Sequence, residues 1–456
     1  APTPGQRARA RIDRARRFAA YDSIDDAERD AELAVDDAAT AGDVELEAEA
    51  HLVWSNNRWY RGDTEGRTRH LDEATRLLES RPPSMVSAQL ITASAFDAMV
   101  GGDSALALDI IDRGRETVIA YGPPHAYARM IGTEGSALIA EGEETGLDML
   151  REALDMHLDS NNTDRANATY NNLATSAVFF RPAGQVLALI DEAIEMCDER
   201  GYVAHSEFSR MTRLESLFPL GRWDDVRRDA EAILAADTAR GGSRVSAVCN
   251  VWLAYLATYT GDTSAAGAHL DAGAEAVLTS GDAQGATITA ALGVVVSAAR
   301  GDGDALARYA DRLESSVAAA GQFADFCAGA AAAELVTAGR ADQLRRMLAS
   351  ARTGGPWDRA RRLQAEAVLA AFDGNHARAV DAAMESIEIC EVLEHVFDPI
   401  RSRIIAARSL LALDRDDVAR PLLHQAIADA ESIGASYLAA DARSLLGDEN
   451  QFAAER

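Results

Sequence analysis

The 456-residue chain contains no lysine, and all 45 of its basic residues are arginine. That excludes a phosphate-loop lysine, a Schiff-base lysine and a lysine general base anywhere in it. Cysteine is scarce: Cys197, Cys249, Cys327 and Cys390 stand more than 50 residues apart, each inside an apolar run. With no paired C-x-x-C spacing to suggest metal or redox work, the expectation is four small buried hydrophobes. No apolar stretch approaches the ~20 residues of a membrane span. The start, Ala1-Pro2-Thr3-Pro4, lacks an initiator methionine and a signal-type apolar segment. A fragment of a longer, cytoplasmic protein with no membrane partner is expected. The net charge of −28 argues against a phosphate backbone as partner, so no nucleic acid is expected either. H-E-x-x-H, G-x-S-x-G and G-x-G-x-x-G are all missing. His157 with Asp155 and His205 with Glu207 are i,i+2 pairs, which do not face one another on a helix. No catalytic residue, metal or cofactor is expected.

What the chain does have is one turn that keeps coming back. Gly62-Asp63, Gly102-Asp103, Gly142-Glu143, Gly221-Arg222, Gly261-Asp262, Gly301-Asp302, Gly339-Arg340 and Gly374-Asn375 recur mostly at 40-residue intervals, shortening to 38 and 35 at the end. Arg181-Pro182-Ala183-Gly184 is a degenerate version in the missing place, and Tyr21-Asp22-Ser23 and Leu413-Asp414-Arg415 fit at the ends. A second set of breaks, among them Gly42, Pro82-Pro83, Gly201, Gly241-Gly242, Gly281 and Gly434, falls about half a period later. A fixed period of this length marks a solenoid. The prediction is an all-α, right-handed superhelix of about eleven helical hairpins. Helices are expected over 24–41 and 43–60, after a basic first helix within residues 1–20, which is either the array's own first helix or the remnant of an upstream domain. Hairpins fill 21–353. Gly354-Gly355-Pro356 marks a possible kink, further hairpins run over 354–447, and a polar tail closes the chain at 448–456.

Aligning each helix on its following turn gives columns. Ala48, Ala88, Ala128, Ala168 and Ala247 stand fourteen residues before a turn, a column that Glu207 breaks, Ser55, Ala95, Gly135, Thr175, Leu214 and Ala254 seven before, and Trp59, Met99, Ile139, Phe179 and Phe218 three before. These positions share one helix face, so small residues sit at the close crossings and bulk plugs the hairpin. The offset face, expected to line a concave groove, carries His51, Trp54 and Arg58, then Tyr127 and Glu134, then Asn167 and Asn171, Arg210 and Arg213, and Ser246 and Asn250. Asn171, Arg210 and Asn250 would stack as a polar ladder, centring the groove on the fourth to sixth hairpins. Each of these residues equally fits a structural role, as a helix brace, an ion-pair partner or an exposed surface group.

Small residues at the crossings and bulk at the ends resemble tetratricopeptide repeats. The stretches Gly146-Leu147-Asp148-Met149-Leu150-Arg151-Glu152-Ala153-Leu154, Tyr170-Asn171-Asn172-Leu173-Ala174, Ile190-Asp191-Glu192-Ala193 and Leu220-Gly221-Arg222-Trp223-Asp224-Asp225 are similar to the C-terminal arrays of actinobacterial signalling proteins. Those proteins carry a class III nucleotide cyclase and an AAA- or STAND-type ATPase, neither of which has a counterpart here. Related repeats occur in large LuxR-type regulators. The resemblance implies a non-catalytic regulatory or scaffold domain that binds a protein or peptide, or its own upstream ATPase or cyclase module. The alternative is a sensor for a small anionic metabolite.

Overall fold

The structure, a computed structural model, describes residues 2–20, 24–61, 63–238, 244–280, 282–351 and 354–447. Among them every regular element is helical. The first eight helices are α1 (Pro4–Ala20), α2 (Ile24–Ala41), α3 (Val44–Arg61), α4 (Thr64–Leu78), α5 (Met85–Val100), α6 (Ser104–Tyr121), α7 (Pro124–Ala140) and α8 (Gly146–Asp159). There follow α9 (Thr163–Ala177), α10 (Ala183–Glu199), α11 (Val203–Leu217), α12 (Trp223–Thr238), α13 (Arg244–Thr260), α14 (Thr263–Leu278), α15 (Ala283–Ala299) and α16 (Gly303–Ser316). The last seven are α17 (Ala324–Thr337), α18 (Ala341–Ser350), α19 (Pro356–Phe372), α20 (His376–Val392), α21 (Phe397–Ala412), α22 (Asp416–Ser432) and α23 (Ser436–Leu446). They pair in sequence as eleven hairpins, with α23 over. Odd-numbered helices lead into the recurring turn and even-numbered helices return from it.

The chemistry of that turn explains the period. Gly102 takes φ +87°, its N–H bonds to Met99 O, and the Asp103 N–H bonds to Ala98 O, which closes α5 in a Schellman arrangement. The Asp103 carboxylate then accepts from Leu106 N at 2.9 Å and caps α6. Gly261-Asp262 and Gly301-Asp302 do the same. One dipeptide thus ends a helix and starts the next. Asp414 and Glu394 take the left-handed conformation where glycine is missing, at φ 55° and 62°. No residue does so at Arg181-Pro182, and there the column slips: Ala168 is exposed, while Ala166 and Ala174 are buried. The expected turns at 21–23, Gly62, Gly241-Gly242 and Gly281, and the expected tail 448–456, lie outside the described residues.

The chain divides into two compact units, the first of residues 1–137, 148–161 and 280–282, the second of the remainder. In the first, the basic helix α1 lies on its own chain. Ala8, Ile12 and Ala15 pack with Ala31, Ala34 and Ala38 of α2. Its arginines meet buried acids, Arg7 and Arg11 at Asp37, Arg14 at Asp30, and Arg9 and Arg16 at Glu49.

The second unit is fastened across long sequence separations. Trp357 N–H donates to Phe179 O (3.1 Å), Val396 and Phe397 N–H both donate to Pro219 O (2.8 and 3.0 Å), and Ser436 Oγ donates to Thr260 O (2.6 Å). The ends of α9, α11 and α13 therefore meet the starts of α19, α21 and α23, each five hairpins further along. Aromatic rings fill the interior: Phe218 packs against Trp223, Trp252, Tyr255 and Phe397 with ring centres 4.8–5.5 Å apart. Trp223 anchors its hairpin, its indole N–H donating to Phe218 O at 3.1 Å. Gly354-Gly355-Pro356 lies inside this unit, where Gly355 is packed so closely on the Phe179 backbone that a Cβ would fall 2.6 Å from its carbonyl oxygen.

Candidate binding site

In the first unit the odd-numbered helices present half-buried aromatic and cationic groups. α3 supplies Trp54, Arg58 and Trp59, α5 supplies Phe96, and α7 supplies Tyr127, Arg129 and Glu134. Trp59 and Phe96 meet edge to face at 5.7 Å. The Arg67 guanidinium, brought in by α4, lies over both rings at 4.8 and 5.2 Å, and Arg129 lies over Phe96 at 5.2 Å. Rings and guanidinium groups alternate here, an arrangement held by quadrupole attraction. Arg67 is held in turn by Asp97 (2.5 Å), Arg58 by Glu28 (3.3 Å) and Asp63 (3.2 Å), and Arg115 by Glu134 (2.6 Å). Trp59, Phe96, Arg67 and Arg129 were not among the residues expected in the groove. Trp59 had been assigned to the packing column, and only the spacing of Phe96 and Arg129 on successive leading helices hints at their meeting.

His51, expected on an exposed face, is buried between α3 and α4. Its Nδ1 lies 3.0 Å from Nδ1 of His70, and His70 stacks on Trp54 at 4.1 Å. One ring must donate and the other accept, so a proton on the accepting Nδ1 breaks the bond. Burial lowers the pKa of both, that of His70 to about 4 with further help from the charge of His51. Both are therefore neutral at pH 7. Close by in sequence, Asn57 is 1% exposed and both polar atoms of its side chain lack a hydrogen-bond partner.

In the second unit the expected groove residues are tied to neighbouring helices. Asn167 and Ser246 are buried instead of exposed. Asn167 Oδ1 accepts from Cys197 Sγ (3.3 Å) and Ser209 Oγ (3.0 Å), and Asn171 Oδ1 accepts from Thr212 Oγ1 (2.6 Å). Asn250 Oδ1 accepts from His269 Nδ1 (2.9 Å), and its amide donates to the Ser246 carbonyl (3.2 Å). Arg210 pairs with Asp198 (2.8 Å), and Arg213 with Asp191 and Asp229 (2.8 Å each). The structure does not join Asn171, Arg210 and Asn250 in one ladder, since each bonds to a different partner. Further along, α15 and α17 are buried over most of their length, ten residues of α17 included. A small apolar pocket between Phe179, Trp252, Phe323, Phe326 and Trp357 remains, with Glu215 at its wall. Beside it runs a buried network that the sequence did not suggest. Arg361 bonds to Asp398 (2.7 Å), which also accepts from Trp357 Nε1 (2.8 Å), and the carboxyl of Asp358 is pushed well up by burial.

No family profile matches the chain, and no curated protein sequence does. Solved structures do match. A Rap protein complexed with Competence and Sporulation Factor superposes with a TM-score of 0.57 at 12% identity, over 75% of this chain and 97% of that one. The Cut9–Hcn1 hetero-tetramer of the APC/C superposes with a TM-score of 0.51 at 13% identity, over 93% and 88%. The fold is that of a tetratricopeptide-like array. At these identities the likeness shows the fold alone. Among the described residues no helix is long and apolar enough to cross a membrane, and the four cysteines are buried and form no disulfide.

Proposed function

We propose that the chain is a non-catalytic regulatory domain of a cytoplasmic signalling protein that docks a protein or peptide on the α3–α5–α7 face. The observation that carries this reading is the half-buried alternation of Trp54, Arg58, Trp59, Phe96 and Arg129, the residue types that dominate binding energy at protein interfaces. The Rap protein of similar fold is complexed with Competence and Sporulation Factor, which supports looking for a partner held by the array. A module preceding this array, of the ATPase or cyclase kind that its repeats resemble, is a second source of the same partner chemistry. Of the groove residues, Trp54, Arg58, Tyr127 and Glu134 face the partner in this reading. His51, Asn167, Asn171, Ser246 and Asn250 brace helices. A sensor for an anionic metabolite is the weaker reading, because Arg210 and Arg213 already have carboxylate partners.

The test is a peptide-display selection on the purified chain, followed by titration of the enriched peptides against variants. Trp59→Ala and Phe96→Ala should weaken binding about 10-fold or more. Binding that is indifferent to both substitutions but lost in Arg210→Ala would overturn the assignment and revive the anion reading.

A further inference from the structure

Cys390 lies in the last turn of α20, His395 in the turn that follows, and Asp398 in the first turn of α21. All three side chains are buried, and one ligand atom of each lies within 4.8 Å of the others. His395 Nε2 has no hydrogen-bond partner and Nδ1 has only the Asp398 carboxylate, although the side chain has no solvent exposure. A buried imidazole left in that state is costly, and a ligand between it and its neighbours would relieve the cost. His395 Nδ1 lies 3.3 Å from Asp398 Oδ2. Two ligands bonded at about 2.0–2.1 Å to one tetrahedral ion stand about 3.3 Å apart. We propose that Cys390 Sγ, His395 Nδ1 and Asp398 Oδ2 bind a divalent transition-metal ion of the zinc type.

The surroundings suit such an ion. Trp357 Nε1 and Arg361 already hold the Asp398 carboxylate at 2.8 and 2.7 Å, and Ser386 hydrogen-bonds the cysteine sulfur, so the ligands have outer partners that orient them. Thiolate and carboxylate together balance the two charges of the ion. The thiol, whose pKa burial pushes well up, gives its proton to solvent as the sulfur–metal bond forms, so binding weakens as pH falls. Three protein ligands leave a fourth position for a non-protein ligand. Because the cluster is closed to solvent, the ion enters as the chain folds.

Cobalt(II) tests this directly. The full chain, unfolded in the presence of a chelator and refolded with Co2+, should take up one ion and show a thiolate-to-cobalt charge-transfer band. Cys390→Ser should abolish the band, although Cys197, Cys249 and Cys327 remain. Trp357→Phe should keep the band and weaken cobalt affinity about 10-fold. Should Cys390→Ser fail to refold, the wild-type spectrum and stoichiometry decide alone. A refolded wild type without the band, or a band that survives in Cys390→Ser, would return the cluster to a metal-free network in which Arg361 neutralises Asp398.

Discussion

The leading helices of the two units close on the same turn chemistry but bury different amounts of themselves. In α3, α5 and α7 the side chains off the packing column are mostly half-buried, and aromatic rings alternate with paired arginines. In α13, α15 and α17 most positions are buried, and aromatic rings fill the space beside them. The repeat thus sets the helices, while contacts across hairpins decide whether the inner face is available. In the first unit that face keeps half-buried rings and guanidinium groups. In the second it is occupied by the unit's own Phe179, Phe218, Tyr259 and Phe397.

The comparison breaks most severely at Arg361. This guanidinium is 2% exposed, and its Asp398 partner is fully buried. Removing it in Arg361→Met strands a buried carboxylate, and the second unit should lose about 3–5 kcal/mol in chemical denaturation. In the intact protein burial opposes the ionised Asp398, but Arg361, His395 and Trp357 outweigh it and hold the pKa at about 2, below its ordinary 3.8. A depressed carboxylate pKa means stability that is present above pH 3.8 and lost as pH falls toward 2. If Arg361→Met unfolds at the same denaturant concentration as the wild type, the filled interior does not depend on this pair.

The next largest effect belongs to the first unit and to a different pH range. The pKa of His70 is lowered from 6.5 to about 4. The unfolded chain therefore takes up its proton first, and this group's contribution is complete above pH 6.5 and lost as pH falls from 6.5 toward 4. The loss should amount to about 2–3 kcal/mol, and His70→Phe should remove that part of the pH dependence. Denaturation curves at pH 7 and pH 4.5 check it. An unchanged pH slope in His70→Phe would mean that the imidazole pair is not the sensitive element.

Much of the fold can be read from the chain and much of the site cannot, for one physical reason. Gly102-Asp103 and its copies act within six residues, so helix ends at 41 and 61 follow directly from local signals. The partners of Arg7, Arg14 and Arg16 lie on the next two helices, and the basic charge was evident while its acids were not. The bond from Phe397 to Pro219 joins residues well over a hundred positions apart, for which no local pattern exists. Cys390, His395 and Asp398 lie within nine residues of one another, yet only the turn between α20 and α21 brings their ligand atoms together.

A smaller effect sharpens the first unit's side of the comparison. Asn57 keeps two polar atoms buried without partners, so Asn57→Leu, which has the same branching and number of side-chain heavy atoms, removes a desolvation cost and should raise stability by about 1 kcal/mol. A rise in melting temperature without change in the peptide affinity of the α3–α5–α7 face would mark Asn57 as structural. A loss of affinity would place it in the binding surface.

Arg210→Ala is expected to do least. Arg210 and Asp198 are both more than a third exposed, and their 2.8 Å pair is open to solvent, the kind worth about 0–1 kcal/mol. Denaturation of the variant should match the wild type to within about 1 kcal/mol. Because the substitution leaves the fold intact, it separates the two readings of this residue cleanly. A surface ion pair predicts no change in any binding assay, whereas a ligand-binding arginine predicts lost affinity at unchanged stability. The first outcome would confine recognition to the half-buried face of the first unit. The second would mean that the outer polar edge of α11 binds ligand even though the interior beneath it is filled.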